Sequence, residues 1–234
     1  MLFDCYLAMT AYEMEKAKEI PAKVAWMACH FSPYGTGLSN LPTWLPPKSI
    51  IILNDRTPVC GHDPAVVAQQ LKSLCYELDA EAVLLDFQRP FSEAYEAIVI
   101  HVARTLTVPV GVTEAYASIP SCSVFLPPTP LLCKPAEYYK KWIGRELWLE
   151  AAIESKLITI TSEDVFISPT SHPETTNNHF QDKDLICHYQ AKIADDHITF
   201  SLNRSYDDLK KIAELAKQLG VTKFIGLYQE IGNL

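Results

Sequence analysis

Short, uninterrupted apolar runs recur along the chain, separated by amphipathic or polar segments. Eight of these runs predict strands, at residues 24–30, 49–54, 82–86, 109–113, 123–126, 146–153, 198–203 and 223–228. Most of them lack a polar–apolar alternation, which is typical of strands whose two faces are both buried in a parallel sheet. The pattern therefore favours a parallel sheet.

Three helices between these strands carry clear start signals. Asp63 and Ser92 each precede a run with apolar residues at helical spacing, and both residue types cap helix N-termini. A third pattern begins with Ser205 and Asp208, which resemble a capping box, and stops at Gly220. A strand follows each helix, which is the repeat expected of βαβ units.

Eight strands with helices between them predict an α/β fold, a single (β/α)₈ TIM-type barrel that occupies residues 1–234 as one domain. The crossovers are degenerate in two places. Residues 32–48 are too rich in proline and glycine for a long helix, and residues 114–122 are too few for a full crossover helix. The alternative, an open doubly wound sheet, needs fewer strands than the pattern provides.

The sixth and seventh predicted strands are flanked by further segments with strand character. Residues 157–169 extend the sixth strand into a ribbon, and residues 184–200 form a second ribbon that turns at Asp195 and Asp196. Between the ribbons, residues 168–183 are polar and contain two prolines, which predicts a mobile loop. We therefore expect a β-rich insertion near strands six and seven.

Polar side chains stand at the C-terminal end of nearly every predicted strand. In a (β/α)₈ barrel these ends meet at one rim, where ligands bind. The candidate catalytic residues are Glu150, Glu114 and Asp86, and the candidate binding residues are His30, Asn54, Asp55, Arg56, Gln88, Arg89, Tyr116, Asn203, Arg204, Tyr228 and Glu230. Because unpaired buried polar groups cost free energy, so many together predict a ligand pocket, although strand ends also meet water and form simple salt bridges.

The stretch AVLLDFQRP, residues 82–90, shows how one strand places polar side chains at this rim. Side chains alternate between the two faces of a strand, so Leu84, Asp86 and Gln88 share one side. Leu85 and Phe87 fall on the other side and suit the layer that faces the helices. We therefore expect Asp86 and Gln88 to face the barrel axis near its mouth.

The layout SIIILNDRTP, helix, EAVLLDFQRP resembles the centre of glycoside hydrolase family 18, the chitinase-like barrels. In that family a strand ends D-x-x-D-x-D-x-E and carries an aromatic residue. The resemblance puts Glu81, Leu84, Asp86 and Gln88 on the four acidic positions and Phe87 on the aromatic one. The closing segment KFIGLYQEIG is similar to that family's last strand, which ends in an aromatic residue lining the sugar site. About a third of the chain is covered.

The resemblance implies a barrel directed at carbohydrate, but without the family's usual acid. That acid is a glutamate that protonates the glycosidic oxygen, whereas the Gln88 amide cannot give up a proton at any useful pH. Two alternatives follow. The chain is a non-catalytic module that binds a glycan or a small ligand, or it is a hydrolase that uses a rearranged acid pair from Glu114, Glu150 and Glu230. Apolar neighbours would raise the pKa of Glu150, as a general acid requires, unless an arginine of a neighbouring strand pairs with it.

A third class of function is an isomerase or lyase that acts on a small anionic substrate. Arg56, Arg89 and Arg204 would then clamp the anion. Among the aromatic residues, Tyr34, Trp44, Tyr116 and Tyr228 are candidates for stacking on sugar rings if they reach the barrel mouth, although large aromatic residues also fill cores.

Composition narrows the range of partners. The net charge is −8 and no cluster of lysine and arginine is present, which argues against nucleic acid as the main partner. No apolar run approaches the ~18 residues that a membrane span needs, and the first residues lack a basic leader. Seven cysteines without a C-x-x-C pair are expected to be free and mostly buried. We therefore expect a cytoplasmic protein with a carbohydrate or other small-molecule ligand and leave its oligomeric state open.

Neither a metal nor another cofactor is expected. His30, Asp55, His62 and Asp86 are the residues that come nearest to a metal-ligand set. They lack any recognised metal-ligand spacing, such as H-E-x-x-H.

Overall fold

The computed structural model describes residues 5–170 and 180–232. The strands of the first part are β1 (Tyr6–Met9), β2 (Val24–Phe31), β3 (Leu38–Ser39), β4 (Ile50–Asn54), β5 (Ala82–Asp86), β6 (Val110–Thr113), β7 (Ser123–Leu126) and β8 (Leu147–Glu150). They are followed by β9 (Ser155–Thr161), β10 (Val165–Pro169), β11 (Phe180–Asp182), β12 (Cys187–Ile193), β13 (His197–Asn203) and β14 (Val221–Leu227). The helices are α1 (Ala11–Lys16), α2 (Pro64–Glu77), α3 (Glu93–Thr105), α4 (Pro135–Lys140), α5 (Tyr206–Gln218) and α6 (Tyr228–Ile231).

Eight parallel strands close into a barrel. Their order is β1, β2, β4, β5, β6, β7, β8 and β14, and β14 pairs with β1 to complete the cylinder. The two-residue β3 adds an antiparallel edge to the top of β2. The closed order confirms the predicted (β/α)₈ barrel and excludes the open doubly wound sheet.

Two strand assignments made from the sequence differ from the structure. Tyr6–Met9 forms the first barrel strand, although its four residues carry too little pattern to predict a strand. The predicted seventh strand, residues 198–203, lies in β13, which pairs antiparallel with β9 and β12 outside the barrel. Ile198, Phe200 and Leu202 alternate along β13, where Leu202 is buried, Phe200 is partly buried and Ile198 is 37% exposed. Each of the other seven predicted strands overlaps one of the remaining seven barrel strands.

The helix starts agree with the sequence prediction. Asp63 accepts a hydrogen bond from the Ala65 amide and caps α2, and Ser92 caps α3 in the same way. Ser205 and Asp208 form the reciprocal capping box of α5. After β6, the described helical structure is a single 3₁₀ turn (Glu114–Tyr116), so this crossover is degenerate, as predicted.

Side chains on opposite faces of the barrel strands belong to two separate cores. Leu85 and Phe87 pack in the outer core between the barrel and the helices, whereas Leu84 packs inside the barrel. Inside, the indole of Trp148 fills the space in front of Gly111, where an added Cβ would lie 2.3 Å from the ring. Trp148 thus closes the barrel beneath its C-terminal rim, and the strand period predicted the facing of β5 correctly.

The predicted insertion is a five-stranded antiparallel sheet in the order β10, β9, β13, β12, β11. The predicted turn near Asp195 and Asp196 is present, since the Ala194 amide donates to the His197 carbonyl at 2.9 Å. The predicted mobile loop is wrong at its two ends, because residues 168–169 belong to β10 and Phe180–Asp182 is β11. Its central part, residues 171–179, lies outside the described residues.

All seven cysteines are free thiols, and five of them are buried, as expected. In the part of the chain that the structure describes, no helix is long and apolar enough to cross a membrane.

Candidate functional site

A cavity of about 660 Å³ opens at the C-terminal rim of the barrel. Its floor is apolar and includes Leu84, Phe125 and Ile225. Its walls carry seven of the residues predicted from the sequence, namely His30, Asn54, Asp55, Arg56, Asp86, Gln88 and Glu150. An apolar floor beneath a few convergent polar groups is the usual form of a small-molecule site.

Three of these polar residues stand side by side because their strands are in register. His30 on β2 pairs with Asn54 on β4, and Asn54 pairs with Asp86 on β5. The Asn54 amide donates to the Met27 carbonyl at 2.8 Å, and its oxygen accepts from the Arg56 backbone amide at 3.1 Å. These two hydrogen bonds to the backbone therefore fix the side chain of Asn54, which lies between His30 and Asp86.

Asp86 is held by the side chain two residues further along the chain. Gln88 Nε2 donates a hydrogen bond of 2.5 Å to Asp86 Oδ1. Burial raises the pKa of Asp86, the Gln88 hydrogen bond opposes this rise, and the negative charge of Asp55 adds to it. Asp86 is thus an oriented carboxyl group whose charge is costly to maintain.

Glu150 ends β8 on the same face as Trp148, so its carboxyl group stands above the indole that fills the barrel. Burial raises the pKa of Glu150 to about 7, and the charges of Asp86, Glu230 and Glu154 contribute. Among the described residues no hydrogen bond or ion pair of this carboxyl group is present, and the alternative of an arginine partner receives no support. Glu150 can therefore hold or release a proton near neutral pH.

A smaller cavity of about 220 Å³ adjoins the first one. Arg89 and Glu114 line it. Gln88, Phe125 and Glu150 line both cavities and therefore mark the boundary between them. Glu114 forms a half-exposed ion pair of 3.1 Å with Lys141.

Arg89 joins the loops that follow β4 and β5. Its backbone amide donates to the Asp55 carboxylate at 2.7 Å, and its guanidinium donates to the backbone carbonyls of Asp55 and Arg56. Asp55 is 5% exposed, so its carboxylate is mainly a buried acceptor for this loop. These contacts fix the rim, and Arg56 keeps its side chain in the main cavity.

His30 points into the main cavity, and its Nδ1 is buried without a hydrogen-bond partner among the described residues. Burial and the charge of Arg56 lower the pKa of His30, which favours the neutral imidazole. His62 is placed differently: its two ring nitrogens contact the Cys60 amide and the Ser32 carbonyl. Within residues 5–170 and 180–232, no three histidine, cysteine or acidic side chains are arranged to hold a metal ion.

Five predicted site residues line neither cavity. Tyr116 is 1% exposed and packs against Phe87 and Phe91. Asn203 pairs with strands of the insertion, and Tyr228 packs on the outer core. Arg204 and Glu230 also lie outside, although the charge of Glu230 reaches Glu150.

Arg204 ties the insertion to the barrel. Its side chain is 2% exposed and donates to four backbone carbonyls, those of Thr129, Pro130, Leu185 and Ile186. A guanidinium so fully occupied supports structure and has few donors left for an anion.

Several residues of the main cavity were not predicted from the sequence, among them Thr10, Tyr12, Asn40 and Phe125. Thr10 follows β1 directly, so recognition of Tyr6–Met9 as a strand would have pointed to it. Phe125 alternates with the outer residues of β7, but its role depends on which strands face it across the barrel.

The fold is similar to that of several solved structures. A Bacillus subtilis protein described as a sporulation-specific glycosylase has a TM-score of 0.60 and 7% identity, over 86% of this chain and 90% of that chain. The Bacillus cereus spore cortex-lytic enzyme has a TM-score of 0.56 and 10% identity, over 95% and 70%. A chitinase from Chromobacterium violaceum has a TM-score of 0.54 and 8% identity, over 95% and 93%.

No protein-family model and no curated protein matches the sequence. At such low identities the likeness to these glycosylase and chitinase structures establishes the barrel fold. The chemistry of this chain therefore depends on the side chains at its rim.

Proposed function

We propose that this chain is a carbohydrate-directed hydrolase that cleaves a glycosidic bond at the barrel mouth with Glu150 as the general acid. The observation that carries the proposal is the position of Glu150 on the boundary between two adjoining cavities, with its pKa raised to about 7. A glycosidase needs its acid between the two sugar units that it separates, and it needs that acid protonated at working pH.

In the reaction, protonated Glu150 gives its proton to the glycosidic oxygen while the bond from that oxygen to the anomeric carbon breaks. A water molecule adds to the anomeric carbon and loses a proton to the Asp86 carboxylate, which Gln88 orients. The charge of Asp86 also helps to keep Glu150 protonated in the resting state. Glu150 thus acts as the acid and Asp86 as the base. Exchange with solvent then removes the proton from Asp86 and restores the one on Glu150.

The remaining polar residues suit the hydroxyl groups of a sugar. Neutral His30, Asn54 and Gln88 offer both donors and acceptors, and the ring of Phe125 offers an apolar face. We assign Arg89 and Glu114 to the side of the smaller cavity, where they would contact the second sugar unit. The barrels with similar structures include chitinases and a spore cortex-lytic enzyme by name, which supports a glycan as the ligand.

The second candidate is a glycan-binding module without turnover. The observation that favours it is Gln88, an amide at the position where the resembled family carries its acid. The anionic-substrate alternative has less support, since Arg89 and Arg204 spend their guanidinium donors on backbone carbonyls.

The test is the release of reducing ends from chitin oligomers and from peptidoglycan glycan strands. We expect wild-type activity with a bell-shaped pH profile whose alkaline limb lies near pH 7, and a loss of about 10²- to 10⁴-fold in kcat in Glu150→Gln. Glu77→Gln changes an exposed glutamate at the end of α2 and serves as the control. Asp86→Ala should also abolish turnover while it moves the melting temperature by only a few degrees.

Saturable binding of oligomers by the wild type without any product would establish the binding module instead. Binding of neither glycan would overturn the carbohydrate assignment, and inhibition by inorganic phosphate would then favour the anionic-substrate class.

A further inference from the structure

A third cavity of about 470 Å³ lies on the opposite side of the main cavity from Glu114, outside the top of β2. It is a groove between α1, which contributes Met14, and the segment 40–44 that follows β3. Trp26 and Ala28 of β2 form its floor. None of the residues assigned above to acid–base chemistry lines this groove.

The groove is continuous with the main cavity. Ala11, Ala28 and Asn40 line both spaces, just as Gln88, Phe125 and Glu150 link the main cavity to the smaller one. The three cavities therefore form one elongated cleft across the rim. A cleft made of three adjoining cavities can accommodate a chain of linked units.

The wall of the groove is fixed before any ligand arrives. The indole of Trp26 donates a hydrogen bond of 3.0 Å to the Asn40 carbonyl. Asn40 itself has a φ of 54°, a left-handed conformation that a non-glycine residue adopts at some cost. This contact holds the start of the segment that carries Leu41 and Trp44.

Trp44 lines the groove, yet this residue is 58% exposed, and nearby Leu41 is 39% exposed. Leaving this much apolar surface in water costs free energy that a ligand with an apolar face would recover. Asn40, Thr43 and Glu15 place polar groups around the same space. An apolar ring face bordered by hydrogen-bonding groups matches a pyranose unit, which has C–H faces and a rim of hydroxyls.

We propose that the groove binds a further pyranose unit of the ligand against Trp44, so that the cleft holds a sugar chain of at least three units. The assignment rests on the proposed function for the ligand class but does not require turnover. Its consequence is a dependence of affinity on chain length, with Trp44 acting only on chains that are long enough to extend beyond the main cavity.

The test is calorimetric titration of chitin oligomers, from dimer to hexamer, into the Glu150→Gln variant so that no oligomer is consumed. We expect that Trp44→Ala in this background weakens the binding of the hexamer about tenfold and leaves the binding of the dimer unchanged. Trp44→Phe should retain part of the affinity. Tyr76→Ala removes an aromatic residue that is 89% exposed on α2 and should change neither.

Equal weakening of dimer and hexamer by Trp44→Ala would overturn the inference, since it would mean that the residue supports the main cavity. Unchanged hexamer affinity, or no hexamer binding in the parent variant, would overturn it as well. A length-dependent loss in a protein whose wild type releases no product would refute the hydrolase and leave the groove assignment standing.

Discussion

The side-chain amide of Gln88 donates a hydrogen bond to the carboxylate of Asp86, two residues earlier in the chain, with Nε2 and Oδ1 separated by 2.5 Å. An amide in this place stabilises the ionised form of Asp86 against the burial that raises its pKa. Gln88 is therefore suited to orient a carboxylate, and its amide is too weak an acid to transfer a proton. The Gln88–Asp86 pair thus suits Asp86 to the role of general base, which leaves the role of general acid to Glu150.

Gln88→Glu tests which residue supplies the proton. The new carboxylate would face Asp86 at hydrogen-bond distance, and two like charges at that distance raise the pKa of one of them. We expect lower kcat than wild type between pH 5 and pH 8, measured as reducing ends released from chitin hexamer. An increase of more than about tenfold in kcat would instead place the acid at position 88 and refute Glu150 as the proton donor.

The raised pKa of Glu150 makes the stability of the protein depend on pH. The folded state keeps the proton up to about pH 7, whereas an unfolded glutamate loses it near its ordinary value of 4.5. The folded state binds more protons in this range, so the free energy of unfolding falls as pH rises from about 4.5 through about 7. Glu150→Gln removes this pH dependence. The free energy of unfolding of the variant, relative to that of wild type, should therefore rise by up to about 3 kcal/mol between pH 4 and pH 8.

Urea unfolding of wild type and Glu150→Gln at the two pH values measures this difference. Glu77→Gln, which changes an exposed glutamate on α2, should follow wild type. A constant difference between wild type and Glu150→Gln at both pH values would show that Glu150 is solvated in the folded protein.

The barrel and its inward-facing residues on β5 follow from local sequence, because the two-residue period of a strand decides which side chains share a face. The face on which Leu84, Asp86 and Gln88 lie can be predicted without knowledge of the other strands. β1 could not be predicted in the same way, since four residues hold barely two periods. Residues 198–203 predict a barrel strand wrongly, because the apolar residues Ile198, Phe200 and Leu202 of this antiparallel strand resemble those of a buried parallel one.

The composition of the rim depends on contacts that local patterns do not encode. The local pattern predicts Asn203 and Arg204 at the barrel mouth only because residues 198–203 resemble a barrel strand. Phe125 and Asn40 enter the cleft only through the closure of the barrel and the course of the chain after β3. Polar residues at strand ends thus mark a rim, and the three-dimensional order of the strands decides which of them meet.

Arg204→Met tests the attachment of the insertion to the barrel. The change leaves the backbone carbonyls of Thr129, Pro130, Leu185 and Ile186 without their donor, and it removes the partner of Glu154 at 3.7 Å. We expect a loss of about 3–5 kcal/mol in the free energy of unfolding, measured with urea. Lys48→Ala breaks an exposed ion pair with Asp79 and should cost less than about 1 kcal/mol. A similar cost for both variants would mean that Arg204 is replaceable by water.

Gly111→Ala tests the packing of Trp148 in the barrel interior beneath the site. The new methyl group would lie 2.3 Å from two ring carbons of Trp148, a distance that neither the strand nor the packed indole can accept without movement. We expect a loss of about 1–3 kcal/mol in the free energy of unfolding, together with weaker oligomer binding, because Trp148 and Glu150 share one face of β8. Trp148→Leu supplies the control: it removes the ring, so Gly111→Ala should cost markedly less in that background. Additive costs in the double variant would show that the two residues do not touch and that the barrel interior is packed in another way.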